Sequence, residues 1–245
     1  MINMEEIHEL LGYERIKIIQ RDDMLRFSLD STLLASFIVT SKSTKKIVDL
    51  GCGNGPIPLF LTIKTNAKIY GVEIQKDVYD LAKRNVQINN LENQIELVNT
   101  NIKDVYKLLG ANDFDIVATN PPYFKYNESS NVNKNDYLTI ARHEVLITLE
   151  DIIKESSKLL KDGGYFYMIH RVERLPEIIS TLSINNFGIK KMRFVHSKQS
   201  DEKALLVLLE ARKNKPSDVI ILKPMFIYDD KQKYTQEVID IFNMH

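Results

Sequence analysis

KIVDLGCGNG, residues Lys46–Gly55, carries a short apolar run directly into three glycines at alternate positions. Lys46 to Gly51 reads as a buried strand, and the glycines let the backbone turn tightly and approach a ligand that any Cβ would hold off. Apolar residues at helical spacing follow from Pro56 to Lys64, with the prolines confined to the first turn, where a missing N–H is tolerated. Working outward, Lys68 to Glu73 reads as a second strand, Gln75 to Asn89 as a helix and Ile95 to Val98 as a third strand. Phe114 to Thr119 reads as a fourth, halted by Asn120-Pro121-Pro122-Tyr123. Strands alternating with helices over short connections predict an α/β fold with a doubly wound, mostly parallel sheet.

The rest of the chain breaks this rhythm. Lys125 to Tyr137 is polar, asparagine-rich and without apolar periodicity. It reads as a surface loop, and its place just after a strand end suits a segment that engages substrate. A helix is expected over Leu149–Leu160, a turn at Gly163-Gly164, a strand over Tyr165–Ile169 and a helix over Leu175–Leu182. Strands near Ile189–Val195 and Ala204–Leu209 are expected to form an antiparallel pair at one edge of the sheet. Pro224 to Phe242 reads as a small strand, a turn at Asp229-Asp230 and a short amphipathic helix. The organisation expected is an N-terminal segment over 1–45 covering the site, a main domain over 46–215, and an extension over 216–245 packed on it.

Composition restricts the function classes. Lys plus Arg and Asp plus Glu both total 33, so a nucleic-acid partner would have to meet a local basic surface, not a globally basic protein. Lys190, Lys191, Arg193, His196 and Lys198 cluster near one expected strand, with Lys203, Arg212, Lys213 and Lys215 after it. They can hold a phosphate backbone, or simply form a solvated edge that discourages aggregation. Cys52 is the single cysteine, so an intramolecular disulfide is excluded and no cysteine metal cluster is expected. It reads as a small residue packed behind the glycine loop. The first residues include Glu5, Glu6 and His8 where a secretory signal would be basic and then apolar, and no apolar run approaches a membrane span. A cytoplasmic protein without metal, membrane or obligate protein partner is expected.

Two constellations carry chemistry. The loop containing Gly51, Gly53, Asn54 and Gly55 lies between a strand and a helix, and Glu73 ends the next strand about twenty residues on, where a carboxylate accepts hydrogen bonds from two ribose hydroxyls. Asp49 suits the ligand's amino group, directly or through the loop backbone. The second constellation is Asn120-Pro121-Pro122-Tyr123. A purine amino group is a poor nucleophile because its lone pair is delocalised into the ring, so both of its hydrogens must be held by acceptors. The Asn120 side-chain carbonyl supplies one and the backbone carbonyl of Pro121 the other, presented rigidly by consecutive prolines. Tyr123, with Phe124 beside it, can stack on a base that is unpaired or taken from its stack. Ala141-Arg142-His143-Glu144 reads as a helix start with solvated side chains.

VDLGCGNG resembles motif I of the class I methyltransferases, VEI with Glu73 and Ile74 their motif II, and NPPY motif IV of the amino-methyltransferases. The resemblance implies a Rossmann-like, seven-stranded sheet with an antiparallel edge strand, and S-adenosylmethionine (SAM) as methyl donor. An acidic residue usually faces the SAM adenine; here Asn101, followed by Ile102, takes that place, and Asp104 is the alternative. NPPY does not separate an adenine amino group from a glutamine carboxamide. Phe27–Ala35, Ala141–Glu144, Val195–Lys213 and Pro224–Phe242 together resemble the bacterial tRNA1(Val) (adenine(37)-N6)-methyltransferase family over nearly the whole chain. That implies N6-methyladenosine formation beside a tRNA anticodon, with the anticodon arm as partner. A protein-glutamine methyltransferase, or an adenine methyltransferase acting on rRNA or DNA, are the alternatives. The particular tRNA and the oligomeric state are not legible.

Overall fold

The computed structural model describes residues 5–10, 13–22, 24, 29–124 and 146–243. The readings of Lys125–Tyr137 and Ala141–Glu144, and the start of Phe27–Ala35, lie outside these. A two-stranded antiparallel hairpin opens the chain, β1 (Glu5–Leu10) and β2 (Tyr13–Arg21), and helix α1 (Leu29–Phe37) follows. The alternating core then runs β3 (Lys46–Leu50), α2 (Pro56–Lys64), β4 (Lys68–Glu73), α3 (Lys76–Ile88), β5 (Ile95–Asn99), α4 (Tyr106–Leu109) and β6 (Phe114–Thr119). Helix α5 (Leu149–Leu159), β7 (Leu160–Arg171), α6 (Leu175–Ile184), β8 (Phe187–Lys198) and β9 (Leu206–Lys213) complete it. The tail adds β10 (Ile220–Ile221), β11 (Met225–Tyr228) and α7 (Gln236–Phe242).

The main sheet has the order β10-β8-β9-β7-β6-β3-β4-β5, with β11 also paired to β8. β5, β4, β3, β6 and β7 pair in parallel, while β9 runs antiparallel to both β7 and β8. The antiparallel pair expected near the chain's end is therefore formed. The strand count is corrected from seven to nine, because the tail lays β10 and β11 parallel along the outer side of β8. Gly188 permits that path: a Cβ there would lie far inside van der Waals contact distance of the Lys215 carbonyl oxygen. The Gly163-Gly164 turn is also corrected. The chain passes from α5 directly into β7, pairing Phe114 with Leu160, and Gly163, at positive φ, sits within the strand at a register irregularity.

Successive strand residues face opposite layers. In β6, Ile116 and Ala118 join Leu33, Leu34, Ile57 and Leu59 on one side of the sheet, while Val117 joins Ile152, Ile153 and Ile178 on the other. Val238 and Ile241 of α7 belong to the first layer, so the tail packs on the same core. The parallel strands thus deliver their carboxyl ends, and the loops after β3, β4, β5 and β6, to one rim.

Candidate functional site

The first strand end makes the tightest turn. Gly51, Gly53 and Gly55 have φ of 77°, 57° and 92°, the left-handed region that glycine enters without a steric penalty. A Cβ built on Gly51 or Gly53 would meet no protein atom within 4 Å, so the loop backbone faces open space. Cys52 is buried, and its sulfur lies so close to Gly71 of β4 that no Cβ fits between them, which is the packing role expected of it.

Glu73, at the end of β4, is buried, and it is pinned from both sides. The Gly53 N–H donates to its Oε2 (3.0 Å) and the Gln75 N–H to its Oε1 (2.8 Å). Burial raises its pKa, and the backbone N–H donors only partly oppose the rise. Asp49 is fully buried with neither carboxylate oxygen hydrogen-bonded. Desolvation, then the nearby Glu73 charge, pushes its carboxyl well above the usual range. A buried carboxylate without a partner is costly, and the raised pKa of Asp49 is the consequence.

That cleft is walled by the glycine loop with Asn54, by Glu73, Ile74 and Gln75, by Asn101 and Ile102, and by Asn120, Pro121 and Pro122. About 1150 Å³ of non-atom space lies within it, part of it open to solvent. Of the residues expected to hold a cofactor, Gly51, Gly53, Asn54, Glu73, Ile74, Asn101, Ile102 and Asn120 line the cleft, whereas Gly55 and the fully buried Asp49, at the end of β3 behind the loop, do not. Asn101 lines the cleft, and its Oδ1 accepts from the Lys103 N–H (2.8 Å). Asp104 lies outside the lining and pairs with Lys107 (3.0 Å), so of the two it is Asn101 that stands at the cleft.

Asn120 follows β6 directly. Its Nδ2 donates to Ser31 Oγ (3.3 Å), and its Oδ1 lies 2.9 Å from the Tyr123 hydroxyl, which also donates to Asp30 Oδ2 (2.7 Å). The Tyr123 ring packs against His170 at the end of β7, with centroids 5.3 Å apart. His170 is fully buried and neither ring nitrogen has a hydrogen bond of good geometry. Burial, reinforced by the Arg174 charge, lowers its pKa to about 4. Phe124 is half exposed beside this cluster.

Sequence reasoning missed Asp30, Ser31 and His170 as neighbours of NPPY. Asp30 and Ser31 come from α1, some ninety positions upstream, and only folding places them there. It also missed the hairpin's hold on the glycine loop. The Asn85 side chain takes the Ile19 N–H (2.6 Å) and donates to the Asn54 carbonyl (2.9 Å), and Asn54 Nδ2 donates to the Ile19 carbonyl (3.3 Å). Met24 and Ser31 reach the cleft itself. The basic cluster is not at the cleft. Lys190 pairs with Asp218, Lys191 with Glu210 and Arg193 with Glu237, while the Lys198 N–H donates to Asp201. Among the described residues there is no group of three metal-ligating side chains and no helix long and apolar enough to cross a membrane.

Comparison with known proteins agrees with this geometry. The methyltransferase small domain family profile matches residues 26–187. A Cytophaga hutchinsonii protein named tRNA1(Val) (adenine(37)-N6)-methyltransferase is 22% identical over 94% of both chains. A Porphyromonas gingivalis protein of the same name is 28% identical over 69% of this chain and 68% of its own. Among solved structures, a predicted O-methyltransferase from Agrobacterium tumefaciens aligns with a TM-score of 0.69 at 21% identity, covering 87% of this chain and 95% of that one. With the sheet order, the glycine loop and the match over most of its length all in agreement, this chain belongs to the methyltransferase small domain family.

Proposed function

We propose that the protein transfers a methyl group from SAM to N6 of an adenosine in tRNA, at position 37 beside the anticodon, as the names of its relatives have it. The observation that carries the reading is that Asn120, Pro121 and Pro122 share one cleft wall with Glu73 and the glycine loop. The residues fit SAM. Asp49 stands fully buried behind the glycine loop, where its two unpartnered carboxylate oxygens would act on the ligand's ammonium group through the loop. Glu73, which lines the cleft, keeps lone pairs for ribose hydroxyls after accepting its two backbone N–H groups. Ile74, Asn101 and Ile102 line the same cleft and would pack against the adenine ring.

When bound, SAM supplies an electrophilic methyl group on a sulfonium centre. The chain's own residues prepare the acceptor. The Asn120 Oδ1 and the Pro121 carbonyl accept the two amino hydrogens, which draws the nitrogen lone pair out of conjugation. Tyr123 and Phe124 bear on the base. No strong general base is needed, because a methylated, protonated aniline-type nitrogen loses its proton readily; alignment supplies most of the acceleration. Lys190, Lys191 and Arg193 contact the RNA backbone only where phosphate displaces the acid each now faces, and Lys198 lies on the same strand.

The test is methyl transfer from radiolabelled SAM to total tRNA of a strain lacking this gene, followed by nucleoside analysis. N6-methyladenosine in one tRNA species is expected, and Asn120→Ala is expected to abolish it while SAM binding by calorimetry stays within about threefold. Label in protein with none in RNA would move the acceptor to a glutamine carboxamide. Full turnover by Asn120→Ala would overturn the acceptor mechanism.

A further inference from the structure

The Tyr123 hydroxyl has one hydrogen and two acceptors in reach, Asp30 Oδ2 at 2.7 Å and Asn120 Oδ1 at 2.9 Å. Under the acceptor mechanism proposed above, on which this inference rests, the Asn120 oxygen has to be available to the substrate amino group. A phenol donating to it would compete for the same lone pairs. Asp30 sits in the first turn of α1, and the adjacent Ser31 accepts from the Asn120 amide nitrogen, which anchors that amide to α1 through its nitrogen. Two consecutive residues of one helix therefore grip the two functional side chains of the acceptor loop.

We infer that Asp30 is a positioning residue for methyl transfer: its carboxylate draws the Tyr123 hydroxyl hydrogen to itself and so frees the Asn120 side-chain oxygen for the substrate's amino group. The placement is over-determined in a way that suits this role. His170 supports the face of the Tyr123 ring from β7, and Arg174 Nη1 donates to the Tyr123 backbone carbonyl (3.4 Å). The ring is thus held on its face and through its backbone, and its hydroxyl is left to choose between two oxygens. Burial raises the Asp30 pKa above the ordinary carboxyl value, and the Tyr123 hydrogen bond, then the charge of Arg171, itself paired to Glu173, offset part of that rise in favour of the carboxylate.

In Asp30→Ala the hydroxyl has only Asn120 to bind, so turnover is expected to fall about tenfold, the worth of one competing hydrogen bond, while SAM affinity is unchanged. Removing the competing hydroxyl as well, in Asp30→Ala/Tyr123→Phe, is expected to restore turnover to within about threefold of Tyr123→Phe alone. Asp30→Asn, which keeps an acceptor oxygen, is expected to lie between wild type and Asp30→Ala. SAM binding by calorimetry in each variant reports that the fold is intact. Losses that simply add in the double variant, or an Asp30→Ala enzyme with wild-type turnover, would overturn the inference. If wild-type protein labels a protein fraction and not tRNA, the RNA reading fails separately. The same variants are then compared on that fraction, since a carboxamide nitrogen makes the same demand on Asn120, and additive losses there overturn this inference too.

Discussion

Asp49, Glu73 and His170 are three ionisable side chains held by burial away from their ordinary titration, and their effects on pH dependence have opposite signs. The two carboxyls have raised folded-state pKa values, so the stability they contribute is complete below the ordinary carboxyl pKa and is lost as pH rises through the folded values. A cationic ligand favours their ionised forms and reverses that loss. SAM is therefore expected to bind more tightly, with proton release, as pH rises above the ordinary carboxyl range, and Asp49→Asn is expected to flatten the trend in calorimetry. A pH-independent SAM affinity in wild type would contradict the assignment of Asp49. His170 has the opposite sign. Its pKa is depressed to about 4, so its contribution is present above the ordinary histidine value and is lost as pH falls. Across that shift the loss is about 3 kcal/mol, and His170→Phe is expected to remove this part of the acid destabilisation seen in urea titrations between about pH 7 and pH 4.

At the scale of elements, the cleft depends on segments that carry no motif. The β1–β2 hairpin reaches the glycine loop through Asn85 of α3, and α1 reaches the acceptor loop through Asp30 and Ser31. The tail is fixed to the sheet at Gly188, where the backbone of Lys215 and Pro216 crosses β8 without room for a side chain. Gly188→Ala is expected to destabilise the fold by about 1–3 kcal/mol, the usual cost of overpacking, because the obstacle is backbone and cannot rotate away. Equilibrium unfolding measures it, and an unchanged midpoint would show that the tail can shift at no cost. The charged edge divides in a way the sequence did not show. The Asp218 partner of Lys190 is mostly exposed, whereas the Glu210 partner of Lys191 is buried and also accepts from the Tyr167 hydroxyl (3.0 Å).

For the whole molecule, a net charge of zero means that any RNA contact is local. Phosphate can displace an exposed acid far more readily than a buried one, so Lys190→Ala is expected to lower the slope of log affinity against log salt for tRNA by about one. Lys191→Ala is expected to leave the slope unchanged and to cost stability instead, since it strips a cation from a buried carboxylate. Filter binding across a salt series, with thermal unfolding of each variant, separates the two. Equal slopes in all three proteins would take Lys190 out of the RNA interface.

The sequence by itself determined the alternating core, the glycine turn, Glu73 at the second strand end and Asn120–Tyr123 at the fourth. Each is encoded locally, by strand period, helix period and the special backbone needs of glycine and proline, so a reading of a few neighbouring residues suffices. The hairpin at the start and β10 near the end escaped it, because their pairing follows from what they lie against and not from a strong alternation of their own. Only the tertiary structure decided that Asp30, Ser31 and His170 meet the acceptor loop, that Asp49 is left without a hydrogen-bond partner, and that the basic edge is largely paired with acids. Those are contacts between residues tens of positions apart, set by how the layers pack around the sheet, and no local pattern specifies them.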